Sequence, residues 1–208
     1  CRGEPPQPGS RQFLGGVQGE NLPAIGVQGE NSSVELRGKH ILIATGSVAV
    51  ELPFAPFDES FVLSSTGALA LKEVPRQLLV VGAGAIGLEL GSVWSRLGAE
   101  VTVIEVLDAI APSSDREMAE TLQKSLEHQG LKFLLGSRLL GVLREAQQAR
   151  VQTAQGEVDV PCSAVLVAVG RRPFTAGLRL DRVGLAVDGK GRIEVDRYYR
   201  PVSQGFLP

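Results

Sequence analysis

One glycine spacing constrains this chain more than any other feature. Gly82, Gly84 and Gly87 stand in Gly82-Ala83-Gly84-Ala85-Ile86-Gly87, directly behind the apolar run Leu78–Val81. After the glycines, Ile86, Leu90, Val93, Trp94 and Leu97 recur at helical spacing up to Gly98, which predicts an amphipathic helix with those five residues on its buried face. A second apolar run, Val101–Ile104, ends in Glu105. Strand, glycine turn, helix and strand in this order predict a right-handed βαβ unit in a parallel sheet.

Each glycine of the GxGxxG turn has a physical task. Gly82 permits the tight exit from the strand. Gly84 lacks a Cβ, so a pyrophosphate can approach the backbone, and Gly87 lets helix and strand pack closely. The helix that follows offers unpaired N–H groups and the positive end of its dipole to phosphates. In a chain with 25 glycines the spacing alone is weak. Its context makes it specific: a strand before it, a helix after it, and an acid about 20 residues on. The Glu105 carboxylate would accept hydrogen bonds from the adenine ribose and would repel the 2′-phosphate of NADP. No basic side chain follows until Arg116, so the expected cofactor is NAD. Glu89, read here as part of the first helical turn, would complement the helix dipole.

Residues Cys1–Ser33 are rich in Gly, Pro, Gln and Ser and carry no periodicity, so they are expected to be disordered or a mispredicted segment. Gly-Val-Gln-Gly-Glu-Asn occurs there twice, at Gly16–Asn21 and Gly26–Asn31, which suggests a local duplication or a turn-rich hairpin. His40–Ala44 reads as a buried strand entering a turn at Thr45, Gly46 and Ser47. Val48–Glu73, with a short helical stretch at Ser65–Leu71, reads as a crossing between two domains. Ser114-Asp115-Arg116-Glu117 has the form of a capping box. The helix it opens would bury Met118, Leu122 and Leu126 and stop near Gly130. Strands are expected at Lys132–Leu135, Leu140–Arg144, Arg150–Ala154, Glu157–Val160, Ala164–Val169 and Arg192–Val195, the middle ones as a small antiparallel meander over one face of the parallel sheet.

The formal net charge of −2 gives no broad electrostatic reason to bind nucleic acid or an acidic membrane, and no apolar run is long enough to span a bilayer. The two cysteines, Cys1 and Cys162, lie far apart, which argues against a disulfide framework, a zinc cluster or a CxxC redox motif. A start at Cys1 and a stop at Phe206-Leu207-Pro208 without a finishing element read as cuts in a longer protein.

Several further stretches carry a family resemblance. Lys39–Ser47, with its Ala44-Thr45-Gly46, resembles a segment of the two-dinucleotide flavoprotein disulfide reductases. Ser64–Leu71, Gly87–Trp94 and Val169-Gly170-Arg171-Arg172-Pro173-Phe174-Thr175 narrow the match to the dihydrolipoyl dehydrogenases of mitochondrial and proteobacterial type, over about Val34 to Gln204. This resemblance implies an α/β architecture: a remnant of an FAD-binding domain at 34–73, a Rossmann-like NAD-binding domain at 74–196, and a truncated return to the FAD domain at 197–208. It implies that Gly82, Ala83, Gly84, Ala85, Ile86, Gly87, Leu88 and Glu89 form the NAD turn and that Glu105 holds the ribose. Leu139 would lie near the adenine, and Gly170 would approach NAD from the other side of the cleft. Thr45, Gly46 and Ser47 would lie against FAD, and Glu89 would face nicotinamide and flavin.

The family passes electrons from dihydrolipoamide through a redox disulfide and FAD to NAD. The resemblance therefore implies a homodimer partner, dihydrolipoamide-bearing proteins of the 2-oxo acid dehydrogenase complexes and the glycine cleavage system, and a mitochondrial matrix location. The chain departs from the family in lacking a first GxGxxG before Val34, a pair of cysteines four residues apart and the His–Glu acid–base pair. It therefore supplies no candidate catalytic residue and no metal ligands, and by itself is expected to be inactive. Two other readings stay open: a stand-alone NAD-binding module without catalysis, and another flavoprotein disulfide reductase or NADH oxidase.

Overall fold

A computed structural model describes residues 11–13, 24–28 and 33–202. The chain divides into two compact units, one made of residues up to Val48 and from Arg172 onward, the other of Ala49–Arg171.

In the smaller unit, β1 (Arg11–Phe13), β2 (Ala24–Gln28) and β3 (Ser33–Arg37) form an antiparallel sheet in sequence order. β1 and β2 fall within the stretch read as disordered or mispredicted, where a turn-rich hairpin was the other expectation; Cys1 and the copy at Gly16–Asn21 lie outside the described residues. Main-chain pairing, such as Ile25 opposite Leu36, gives these strands an order that their side chains do not advertise. His40–Ala44 is not a strand. Its residues alternate, with Ile41 and Ile43 packed around Leu178 and Leu180 and Leu42 88% exposed. The apolar run thus buries one side only.

The chain leaves the smaller unit in β4 (Ser47–Ala49). The larger unit then holds β5 (Val62–Leu63), α1 (Ser65–Ala70), β6 (Gln77–Val81), α2 (Ala85–Arg96), β7 (Glu100–Ile104), α3 (Arg116–His128), β8 (Lys132–Leu134), β9 (Arg138–Leu143), β10 (Gln148–Thr153), β11 (Gly156–Pro161) and β12 (Ala164–Val167). The return is through β13 (Arg171–Pro173). Five strands make one parallel sheet in the order β5-β12-β6-β7-β8. The segment expected to be a mere crossing therefore contributes an edge strand, β5, and the helix α1.

Alternation along the strands divides their side chains between two cores. Leu78, Val80, Val101, Val103 and Leu166 face the helices and meet Leu88, Trp94, Ala119 and Leu126. Leu79, Val81, Ile104, Val165 and Val167 face the antiparallel sheet β11-β10-β9 and meet Leu139, Ala149 and Val151. Continuous apolar strands are what a parallel sheet covered on both faces requires. The α/β architecture with a Rossmann-like parallel sheet and a small meander is the one expected.

Local details correct the predicted faces. α2 buries Gly87, Leu88, Gly91 and Trp94, whereas Val93 and Leu97 are exposed. The helix lies so close to the sheet that a Cβ on Gly91 would already touch the Val80 and Val101 methyls at 3.5 Å. Small residues therefore face inward. α3 buries Ala119 and Leu126, and Met118 is 64% exposed, with Leu122 also exposed. Its cap is Asp115, whose carboxylate accepts the Glu117 N–H at 3.0 Å. Ser114 is held in the preceding turn, its N–H donating to the Ala111 carbonyl. In the smaller unit Arg192–Val195 forms isolated bridges, Val187 to Ile193 and Val195 to Pro201, rather than a strand. Among the described residues no helix is long and apolar enough to cross a membrane.

Candidate functional site

The carboxyl ends of β6, β7 and β12 open into a cleft of about 320 Å³ within the larger unit. It is lined by Gly82 and Gly84 from the glycine turn, Glu105 to Leu107 after β7, Ser137 and Leu139, and Ala168 to Gly170 after β12. Open α/β sheets bind ligands in such crevices, where chain connections leave a strand in opposite directions. Here β6 is followed by its neighbour β7 on one side, and has β12 from late in the chain on the other.

The turn is built from the strand end outward. The Gly82 N–H donates to the Ile104 carbonyl at 2.8 Å, and the Ala168 N–H to the Val81 carbonyl at 2.8 Å. These bonds continue the sheet to the point where the backbone reverses. Gly82 has φ +102°, and a Cβ there would stand 2.6 Å from the Ala168 carbonyl oxygen. A Cβ on Gly87 would overlap the Gly82 carbonyl oxygen. Both glycines are therefore required by the protein's own packing.

Gly84 is different. Its backbone is ordinary, φ −77° and ψ 179°, and a Cβ would meet no protein atom within 4 Å. Nothing in the fold demands glycine there, whereas a ligand lying on the turn would. Gly84 is also the N-cap of α2, which has no side-chain cap. The first-turn N–H groups of this 12-residue helix are thus left for an outside acceptor.

Glu105 is one of three buried polar side chains among the described residues and is 8% exposed. Its carboxylate accepts the Ala83 N–H at 2.8 Å and the Leu107 N–H at 3.0 Å. Each oxygen retains capacity for a further donor. Ser137, 2% exposed, fixes the opposite rim, its N–H donating to the Glu105 carbonyl and its hydroxyl to the Leu135 carbonyl.

Of the residues expected at the site, Gly82, Gly84, Glu105, Leu139 and Gly170 line one cleft. Ala83 is buried beneath the turn, Gly87 and Leu88 pack into the helix–sheet core, and Ala85 and Ile86 open the helix. Glu89 is exposed. Because α2 begins inside the glycine motif, at Ala85, no acid falls in its first turn, which corrects the dipole role given to Glu89. Thr45, Gly46 and Ser47 belong to the smaller unit, where the Gly46 carbonyl accepts the Phe174 N–H at 3.0 Å. Sequence reasoning missed Val81, Ile104, Val106, Leu107, Pro112, Ser137, Ala168 and Val169 as lining residues. Strand-end position after β6, β7 and β12 was the available signal for most of them; Pro112 and Ser137 come from loops without one.

A larger concavity, about 750 Å³, lies in the smaller unit between Arg172, Thr175, Arg179, Asp181 and Lys190. Its charged side chains are all exposed. It has no buried carboxylate and no helix of functional length, so the smaller cleft is the better candidate.

A family model for pyridine nucleotide-disulphide oxidoreductases matches residues 16–205. The chain belongs to this family. Among its relatives in the pyridine nucleotide-disulphide oxidoreductases is mitochondrial dihydrolipoyl dehydrogenase of Pisum sativum, 47% identical over 177 residues, 83% of this chain and 35% of that one. Dihydrolipoyl dehydrogenase 3 of Pseudomonas aeruginosa is 48% identical over 182 residues, 86% of this chain and 39% of that one. The solved structure of LpdA from Mycobacterium tuberculosis superimposes with a TM-score of 0.80 at 28% identity, covering 94% of this chain and 42% of that one. The chain thus spans between a third and two fifths of the length of these two curated relatives.

Proposed function

We propose that this chain is the NAD-binding part of a dihydrolipoyl dehydrogenase and that its cleft holds the adenosine and pyrophosphate portion of NAD. The observation that carries this reading is the empty space beside Gly84, where the fold itself would tolerate a side chain. The donor set fits the cofactor. Uncapped N–H groups of α2 suit a pyrophosphate, the Glu105 carboxylate suits a ribose diol, and Leu107 and Leu139 supply an apolar wall for adenine. Val169 and Gly170 would bound the cofactor from the other side, towards the nicotinamide. A buried acid at position 105 disfavours a 2′-phosphate, which makes NAD rather than NADP the cofactor.

In the whole enzyme Thr45, Gly46 and Ser47 would lie against FAD, and the bound FAD and NAD would supply the redox chemistry that takes electrons from dihydrolipoamide. The residues of this chain bind and orient; they supply no nucleophile and no acid–base pair, so the 208 residues alone should not form NADH from dihydrolipoamide. Lipoyl-bearing proteins of 2-oxo acid dehydrogenase complexes, a second copy of the full-length chain, and a mitochondrial location belong to the same proposal; the names of several relatives support the location alone, and a bacterial relative is equally similar.

Calorimetric titration of NADH and NADPH into the chain tests the binding claim, with Gly84→Val as control. The expected result is saturable NADH binding, at least about tenfold weaker NADPH binding, and loss of both in the variant. NADH binding that survives Gly84→Val would place the cofactor elsewhere.

A further inference from the structure

The Glu105 carboxylate does more in this fold than wait for a ribose. Its Oε2 accepts the Ala83 N–H at 2.8 Å, inside the glycine turn, and its Oε1 accepts the Leu107 N–H at 3.0 Å, at the start of the loop after β7. Its own carbonyl takes the Ser137 N–H, and the Leu107 carbonyl takes the Gly136 N–H, both at 2.8 Å. One residue thereby ties together three walls of the cleft.

Ala83 is the point where this matters. It is fully buried, so its N–H has no water to turn to if the carboxylate is lost. Its carbonyl accepts the Ala111 N–H at 2.8 Å. Both peptide groups flanking Ala83, the one shared with Gly82 and the one shared with Gly84, are therefore fixed by partners outside the turn. The direction of the next amides, at the head of α2, follows from those two fixed planes.

We propose that Glu105 is a positioning residue for the phosphate turn, holding it in its binding shape before any nucleotide arrives, in addition to accepting the ribose hydroxyls. This rests on the nucleotide reading of the cleft given above. It separates from a ribose-only role because a carboxylate that serves the diol alone should be irrelevant to a ligand without the diol. Neither Gln nor Asp should replace it. Gln has a single acceptor for two N–H groups, and Asp is one methylene too short to span Ala83 and Leu107 at once.

The test uses the 208-residue chain and its Glu105→Gln variant, titrated with ADP and with 2′,3′-dideoxy-ADP, together with amide hydrogen exchange of the ligand-free proteins. The expected result is that the variant loses roughly tenfold in affinity for both nucleotides and that its Ala83 amide exchanges roughly tenfold or more faster, with Leu79 and Val103 amides unchanged. Weakened ADP binding with unchanged dideoxy-ADP binding, or an unchanged Ala83 exchange rate, would overturn the proposal and leave the nucleotide site intact. Failure of the unaltered chain to bind either nucleotide would remove the nucleotide reading and this proposal with it. If Glu105→Gln does not fold, Glu105→Asp carries the same two readouts.

Discussion

The Cα of Gly82 faces the carbonyl oxygen of Ala168 so closely that a Cβ on residue 82 would stand 2.6 Å from it, at a φ of +102° that L side chains rarely adopt. Two residues on, Gly84 has open space and an ordinary backbone. The two glycines of one motif thus differ: the fold requires the first, and the proposed ligand would require the second.

This difference predicts opposite phenotypes. Gly82→Ala should cost on the order of 3 kcal/mol of stability, from the positive φ and the contact with a backbone that cannot yield. Gly84→Ala should cost about 1 kcal/mol or less, the usual effect of Ala at an N-cap, while weakening NADH binding strongly. Urea melts and calorimetry on the two variants separate the cases. Equal losses of stability would contradict the assignment.

The packing of α3 leads to a second expectation. Leu126 is 6% exposed and sits in the helix-side core, so Leu126→Ala should destabilise by about 2–5 kcal/mol. Met118→Ala, at a position 64% exposed, should stay within about 0.5 kcal/mol. A large loss at Met118 would restore the face expected from periodicity alone.

The contrast shows where the sequence is legible. The β6–α2–β7 unit and its Glu105 could be read directly, because glycine spacing, strand hydrophobicity and a terminal acid are all local signals. Helix faces were misread because periodicity counts bulk. Where α2 meets the sheet the inward positions are Gly87 and Gly91, and the bulky Val93 and Leu97 are left outside. His40–Ala44 looked like a strand because it is apolar, yet strand identity depends on a hydrogen-bonding neighbour that a single segment cannot announce. β5 was hidden for the reverse reason: two residues, Val62 and Leu63, gain strand character only from their pairing with Val165 and Leu166. Ser137 and Pro112 reach the cleft through loop geometry, which carries no sequence period.

Two short loops in the smaller unit share one device. Asp188 accepts the Lys190 and Arg192 N–H groups and the Arg192 guanidinium, and Asp196 does the same with Tyr198 and Arg200. The backbone and side-chain hydrogen bonds from Arg192 hold the Asp188 carboxyl down at about 2, and those from Arg200 lower that of Asp196. Because both folded values lie below the ordinary carboxylate value of 3.8, both loops are fully fastened above it, and the Asp188 loop loosens only as pH falls towards about 2. The amide resonances of Lys190 and Arg192 should therefore titrate with a midpoint near 2. A midpoint at or above 3.8 would mean that the Asp188 hydrogen bonds do not persist in solution.

The central claim is that NAD lies on the glycine turn of the larger unit. Mapping of amide chemical shifts during an NADH titration tests it most directly. The account predicts shifts concentrated at Gly82, Gly84, Ala85, Ile86, Glu105, Leu107 and Leu139. Shifts confined to the concavity around Arg172, Arg179 and Lys190, or no shifts at saturating NADH, would contradict it.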